Sequence, residues 1–340
     1  MTSQDTQLEE WRRRALRLES QVKQVIVGQD RVVRLLIIAV FARGHVLLEG
    51  DVGVGKTTLL RALARGIGGA YERIEGTIDL MPNDLIYYTY VSEDGKPRID
   101  RGPILKHGDA LSIFFFNEIN RARPQVHSLM LRVMAERSVA AFDREFRFPH
   151  LLVFADRNRV EKDETFEIPP AARDRFLMEI PIEMPSDLAA QHALMFDPRF
   201  HDPDNLITEV DAGVLDYRYL NEVATVVQRS VQSTQALQRY ALDLCRATHD
   251  PANFGIAIDG FDFEKVIQAG VSPRGMSMLV RAAKVAAWLD ERETLLPEDL
   301  QNVYLETVPH RVFFTPVYEL RRSRVAAALS EQILSRIAAP

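Results

Sequence analysis

The sequence is poor in the features that would send a chain out of the cytoplasm or onto nucleic acid. It has one cysteine, Cys245, so no internal disulfide can form and a reducing, cytoplasmic setting fits. The helical periodicity around Cys245 gives that thiol a packing role. The longest apolar run, Leu35–Ala42, lies between Arg34 and Arg43 and is far too short to span a bilayer. The opening MTSQDTQLEEWRRRALRLES is acidic and then basic without an apolar core, which argues against a secretory signal. Positive charge is not in excess either. A formal net charge of −6 and a pI of 5.8 give nucleic acid or an anionic membrane little to hold. Internal repeats and low-complexity tracts are missing too. The expectation is a soluble, cytoplasmic protein with no nucleic-acid partner and no direct membrane insertion.

What the chain does have is the composition of a globular protein, 46% apolar and 26% charged, over 340 residues, enough for two domains. Five short apolar runs precede residue 187: His45–Gly50, Ala70–Gly76, Leu111–Glu118, His150–Asp156 and Phe176–Glu183. Several are apolar without alternation, as strands covered on both faces are. Between them KTTLLRALARGIG and RPQVHSLMLRVMAER carry helical spacing, the second with Pro124 in its first turn. This alternation predicts an α/β fold, a doubly wound parallel sheet.

Met184–Asp187, MPSD, marks a hinge, after which the pattern turns helical. STQALQRYALDLCRATHD places Leu237, Ala241, Leu244 and Thr248 on one face. SPRGMSMLVRAAKVAAWLDER opens with Ser272 as N-cap and Pro273 in the first turn. The expected organisation is an N-terminal helix packed on the core over 1–26, an α/β domain over 27–186, and an all-α C-terminal domain with a tail over 187–340. In the first helix Leu8, Trp11, Ala15, Leu18 and Val22 alternate in steps of three and four. Val91–Pro103, with its Asp94–Gly95 turn signal, interrupts the α/β rhythm as an insert.

The chemistry starts at Gly50. The run Gly50, Asp51, Val52, Gly53, Val54, Gly55, Lys56, Thr57, Thr58 follows the first strand and opens a helix. Glycines let backbone N–H groups wrap phosphates, the helix N-terminus adds partial positive charge, and Lys56 adds a full one. The Thr57 hydroxyl is placed to ligate Mg²⁺. No NKxD motif is present, which favours adenine, so ATP with Mg²⁺ is the expected cofactor. Val27 and Gly28, in VIVGQD, read equally as base contacts or as a turn before the next helix.

LSIFFFNE, Leu111–Glu118, stands where a second phosphate-facing strand should end, with Glu118 at its tip to polarise a water. The preceding residue usually helps to hold Mg²⁺ and is usually aspartate; here it is Asn117, which keeps an acceptor oxygen but no charge. Weaker metal binding or slow turnover is expected, since phosphoryl transfer depends mostly on positioning.

From VGQD and GHVLLEG through NEINRARPQ and RDRFLMEIP to SPRGMSMLVRAA and LPEDL, roughly residues 22–312, the chain resembles the MoxR family of AAA+ ATPases. The resemblance implies a P-loop NTPase domain with a helix-2-type insert at Val91–Pro103 and a helical lid. It implies that Asn158 is the sensor-1 asparagine placing the lytic water. Arg175 matches the arginine finger given to a neighbouring subunit, and Arg274 the sensor-2 arginine reaching the γ-phosphate. Taken alone, Arg175 beside Asp174 would be a surface ion pair. Arg157 and Arg159 stand where the family usually has glutamine and proline, which suggests a more basic site. The resemblance further implies a homo-oligomeric, six-membered ring. It also implies chaperone-like maturation work with von Willebrand factor A-domain partners, and, in the branch nearest this sequence, methanol dehydrogenase as client. The contrasting expectation is a nucleotide-gated scaffold with little turnover.

Overall fold

The computed structural model describes residues 3–158, 165–258, 263–319 and 321–340. Contacts divide the chain into two compact units, 1–175 with 180–221, and 176–179 with 222–340.

The first unit opens with α1 (Ser3–Val25) and α2 (Asp30–Phe41), then β1 (His45–Glu49), α3 (Lys56–Ile67) and β2 (Ala70–Glu75). Short α4 (Pro82–Ile86) leads to a hairpin, β3 (Tyr87–Val91) with β4 (Pro97–Arg101), turning at Asp94–Gly95 where Gly95 has φ +75°. This is the insert, slightly earlier in the chain than its sequence signal. β5 (Leu111–Asn117), α5 (Pro124–Glu136), a second hairpin of β6 (Ser138–Ala141) and β7 (Arg144–Arg147), β8 (Leu152–Arg157) and α6 (Pro170–Arg173) follow. The second hairpin had no recognised signal. Its turn uses Phe142 and Asp143 at positive φ, residues that do not announce a turn as glycine does. β9 (Phe176–Pro181), whose first four residues belong to the second unit, α7 (Leu188–Phe196) and α8 (Pro203–Thr208) come next.

The main sheet has the order β2-β5-β8-β1-β9, with β2–β5, β5–β8 and β1–β8 parallel. All seven residues of β5 are buried, the burial expected of a central strand with helices on both faces. α1 packs on α2 and α3 through Ala15, Leu18 and Val22, all fully buried. Gly66 in α3 permits the approach, since a Cβ there would lie 2.0 Å from a Leu18 methyl. The unit boundary falls between 221 and 222, not at the Met184–Asp187 turn, because α8 is tied back to α3. Arg61 pairs with Asp204 at 2.6 Å, and the Arg65 Nε donates to the Val210 carbonyl at 2.6 Å.

The second unit is helical: α9 (Leu220–Ser230), whose first two residues belong to the first unit, α10 (Gln235–Arg246), α11 (Phe263–Val266), α12 (Pro273–Leu289), α13 (Pro297–Thr307), α14 (Pro316–Glu319) and α15 (Arg322–Arg336), with a small antiparallel pair, β10 (Ile267–Ala269) and β11 (Phe313–Phe314). Ser272 caps α12 by accepting from the Gly275 N–H at 3.1 Å, with Pro273 in the first turn, as its sequence predicts. Cys245 is buried in α10, and burial pushes its thiol up to about 12, which suits packing and not reactivity.

His310 and Arg311, to which the sequence assigned no role, are among the most buried polar residues of this unit. Arg311, fully buried, donates to the carbonyls of Phe176, Leu177 and Thr307, and His310 lies 3.1 Å from the Phe176 carbonyl. The pair supplies donors to the strand segment 176–179, which the second unit incorporates. Burial, then the Arg311 charge, holds the imidazole of His310 well below its usual value. A depressed histidine takes up its proton on unfolding, so its share of stability is present above about pH 6.5 and is lost as pH falls through that value. Between pH 7.5 and 5.5, urea unfolding should therefore show the wild type losing up to about 1.4 kcal/mol more in total than His310→Gln. Equal losses in the two proteins would remove His310 from the account.

Candidate functional site

The loop after β1 takes the shape its glycines permit. Gly53 and Gly55 both have φ +84°, a region that side-chain-bearing residues avoid, and a Cβ at Gly50 would strike the Ile182 carbonyl at 2.2 Å. α3 starts at Lys56, so its unpaired N–H groups and positive dipole end face the loop. Thr57 and Thr58 fill its first turn, half-buried. A cavity of about 600 Å³ opens beside the loop, walled by 51–55 and Thr58 on one side. On the other it is walled by Val25, Ile26, Val27, Leu194 and Phe200. The polar rim suits phosphates and the apolar wall a planar base. Val27 is thus in the wall. Gly28, with φ +74°, makes room for Pro185, whose Cβ would lie 2.6 Å from an added Cβ.

The tip of the sheet carries the charged chemistry. Lys56 is almost buried, and its ammonium donates to the Gly50 carbonyl at 2.7 Å and to Asn158 Oδ1 at 2.7 Å, and pairs with Asp156 Oδ2 at 3.1 Å. Asn158 donates through Nδ2 to Glu118 Oε1 at 3.0 Å, and Arg121 Nη1 donates to Glu118 Oε2 at 2.9 Å. Glu118 stands just past β5 in the left-handed region, φ 53° and ψ 49°, and its own N–H donates to Asp156 Oδ1 at 2.5 Å. That backbone turn swings its carboxylate out of the strand's alternation and toward the network. Gly76 clears the space, because a Cβ there would meet the Glu118 carbonyl at 2.2 Å. Asn117 faces the other neighbour and donates through Nδ2 to Glu75 Oε1 at 3.3 Å. Burial raises the Asp156 carboxyl, opposed by the Glu118 N–H and by Lys56.

Of the residues picked out in sequence, Lys56, Glu118 and Asn158 are joined in one hydrogen-bonded chain, with Asn117 next to it. Arg175 is outside this network: it is half-buried after α6, and its Nη1 donates to the Ala171 carbonyl at 2.9 Å. Arg274 is exposed in the first turn of α12, in the second unit. Arg159 lies outside the described residues. Arg157 does not make the site more basic, because Glu49 faces it at 3.2 Å. Asp156 was missed, although a signal existed. It stands two residues before Asn158 at the end of a strand, where alternate side chains share a face.

Residues 45–178 match the model of the ATPase family associated with various cellular activities, and residues 262–333 match the AAA lid domain. The chain is 56% identical to Protein MoxR of Methylorubrum extorquens, covering 99% of this chain and 98% of that one. It is 32% identical to Chaperone MoxR1 of Mycobacterium tuberculosis, over 87% of this chain and 74% of that one. A crystal structure of a protein described as a candidate ATPase from Cytophaga hutchinsonii superposes with a TM-score of 0.84 at 27% identity, covering 99% of this chain and 98% of the other. The chain belongs to the MoxR family of AAA+ ATPases. As a member of that chaperone-type family it is an ATP-binding ATPase, with a parallel-sheet AAA domain and a helical lid.

In the family's terms, the phosphate-loop lysine is here parked on a buried carboxylate. Lys56→Met should strand Asp156, which is 1% exposed, and cost about 3 kcal/mol in chemical unfolding. Lys56→Met with Asp156→Asn should recover most of that loss; a double variant no more stable than the single one would show that the pair does not hold the sheet tip together.

Proposed function

We propose that this chain is a magnesium-dependent, ATP-driven maturation chaperone that works as a ring. The observation that carries this is the bonded sequence Lys56–Asn158–Glu118 at the mouth of the phosphate loop, which links the group that would bind the γ-phosphate to the carboxylate that would orient water. The donor set fits a hard cation: the Thr57 hydroxyl, the Asn117 amide oxygen and nearby carboxylates are all oxygen ligands. Among the described residues no cluster of three His, Cys, Asp or Glu forms a free-standing metal site, which agrees with an ion carried in on phosphates. When bound, Mg²⁺ would neutralise charge on the β- and γ-phosphates. The chain's own part is to hold the phosphates with the 50–58 loop and Lys56, to place Asn158 beside the water, and to let Glu118 accept its proton.

Arg175 would complete the site of a neighbouring copy, and Arg274 would report the phosphate to the lid. Six copies, a von Willebrand factor A-domain partner and methanol dehydrogenase as the indirect client follow from the family resemblance and the extent of likeness to Protein MoxR. Among the described residues no helix is long and apolar enough to cross a membrane, so contact with a client beyond one would go through a partner. A second reading, a nucleotide-gated scaffold with little turnover, draws support from both Glu118 oxygens already accepting hydrogen bonds, from Asn158 and Arg121.

Phosphate release measured with and without the A-domain protein separates the two. Glu118→Gln should lower turnover by about 10²–10⁴-fold while ATP still binds. Arg175→Ala should be comparably inactive alone, and mixing it with Glu118→Gln should restore part of the activity, since mixed rings contain sites with both groups intact. Silence of the wild type under saturating Mg²⁺–ATP, with both proteins present, would leave only the scaffold.

A further inference from the structure

The tips of three neighbouring strands form a row on one face of the sheet. Glu75 of β2 pairs with Asn117 of β5, and Phe116 of β5 pairs with Ala155 of β8, so one step further Asn117 stands beside Asp156. The row therefore reads carboxylate, amide, carboxylate. Position 117 is uncharged between two acids, and its amide N–H donates to Glu75. An aspartate there would exchange that bond for repulsion on both sides.

Asp156, and not Asn117, places an anionic oxygen against the phosphate-loop lysine, 3.1 Å from its ammonium. Among the described residues its one close cation is Lys56, at 3.1 Å. Lys56 is also the residue that phosphates must draw away if the loop is to grip them. Once Lys56 turns to phosphate, Asp156 is a carboxylate 1% exposed to solvent with only the Glu118 N–H to satisfy it. Such a group needs a replacement cation, and a nucleotide brings one.

We propose that Asp156 is the residue that holds the nucleotide's magnesium ion, taking over from the tip of β5 a charge that has moved one strand across the sheet. This rests on the ATPase reading above and adds a role to a residue that reading leaves unused. Lys56 and Mg²⁺ then occupy Asp156 in turn, so the empty and loaded sites both keep the carboxylate compensated. Asn117 is retained because the charge it lacks is next door.

The test is metal affinity, independent of turnover. Mn²⁺ is titrated by its electron paramagnetic resonance signal into the protein–ADP complex, and ADP binding is measured in parallel with EDTA. Asp156→Asn should weaken Mn²⁺ by about 10–100-fold while ADP affinity in EDTA holds or rises, since Lys56 is released. Asn117→Asp with Asp156→Asn, which moves the charge back, should restore Mn²⁺ to within about threefold of wild type. Asn117→Asp alone keeps Asp156 and should change Mn²⁺ affinity by no more than about threefold. The proposal is overturned if Asp156→Asn leaves Mn²⁺ affinity unchanged, or weakens ADP equally with and without metal, the mark of a residue that merely tethers Lys56. A rise of about tenfold or more in Asn117→Asp would overturn it too, and that variant serves if Asp156→Asn does not fold. Failure of wild-type protein to bind ADP at all would instead sink the ATPase reading.

Discussion

Everything at the head of the sheet depends on where one ammonium group is held. Lys56 enters the site from the first turn of α3, almost buried, and is met by three oxygens from three different places: the Gly50 carbonyl, the Asn158 amide and the Asp156 carboxylate. A buried lysine needs such company, because an uncompensated charge away from water costs several kcal/mol. The arrangement fixes more than the lysine. It ties the phosphate loop to β8, and through the Glu118 N–H it ties β8 to the end of β5. Gly50 and Gly76 permit close approach of the Ile182 and Glu118 carbonyls, and Gly53 and Gly55 supply the positive φ that curls the loop.

The parts legible in sequence were those with local causes. The strand–helix alternation, the loop ending at Thr57, and the Ser272–Pro273 start of α12 follow from spacing within a few residues, and the structure shows each. Glu118 was found because it ends an apolar run read as a strand, and Asn158 because the family resemblance marks it. What escaped notice depends on partners far along the chain. The local spacing from Asn158 could have flagged Asp156, but its partners follow from β8 lying between β5 and β1, an order that no local pattern encodes. Glu75 and Gly76 matter because β2 is the neighbour of β5. His310 and Arg311 gain a role only where residues 176–179 pack with the helical unit, with the Phe176 carbonyl 134 positions away from His310. The β6–β7 hairpin turns on Phe142 and Asp143, a pair whose positive φ is set by context and not by preference.

Asn117 reads differently along the chain and across the sheet. Along the chain it reads as a lost aspartate and suggests a weakened enzyme. Across the sheet it is the middle of a row whose outer members, Glu75 and Asp156, are already acidic. Total charge at the strand ends is what a cation senses at a few ångströms, and that depends on the row more than on one member. The side-chain amide then has a use of its own, since only a donor can bond to Glu75 from there.

The same network connects phosphate arrival to the water-polarising group in two bonds. Asn158 accepts from Lys56 through its oxygen and donates to Glu118 through its nitrogen, so one planar amide transmits the position of one end to the other. On the proposed reading, a Lys56 drawn toward a phosphate would leave the amide held only by its bond to Glu118. Arg121 donates to the other carboxylate oxygen of Glu118, so the two Glu118 oxygens are bound from different sides. On the proposed reading, binding and readiness for catalysis would be coupled through side chains at the tips of paired strands.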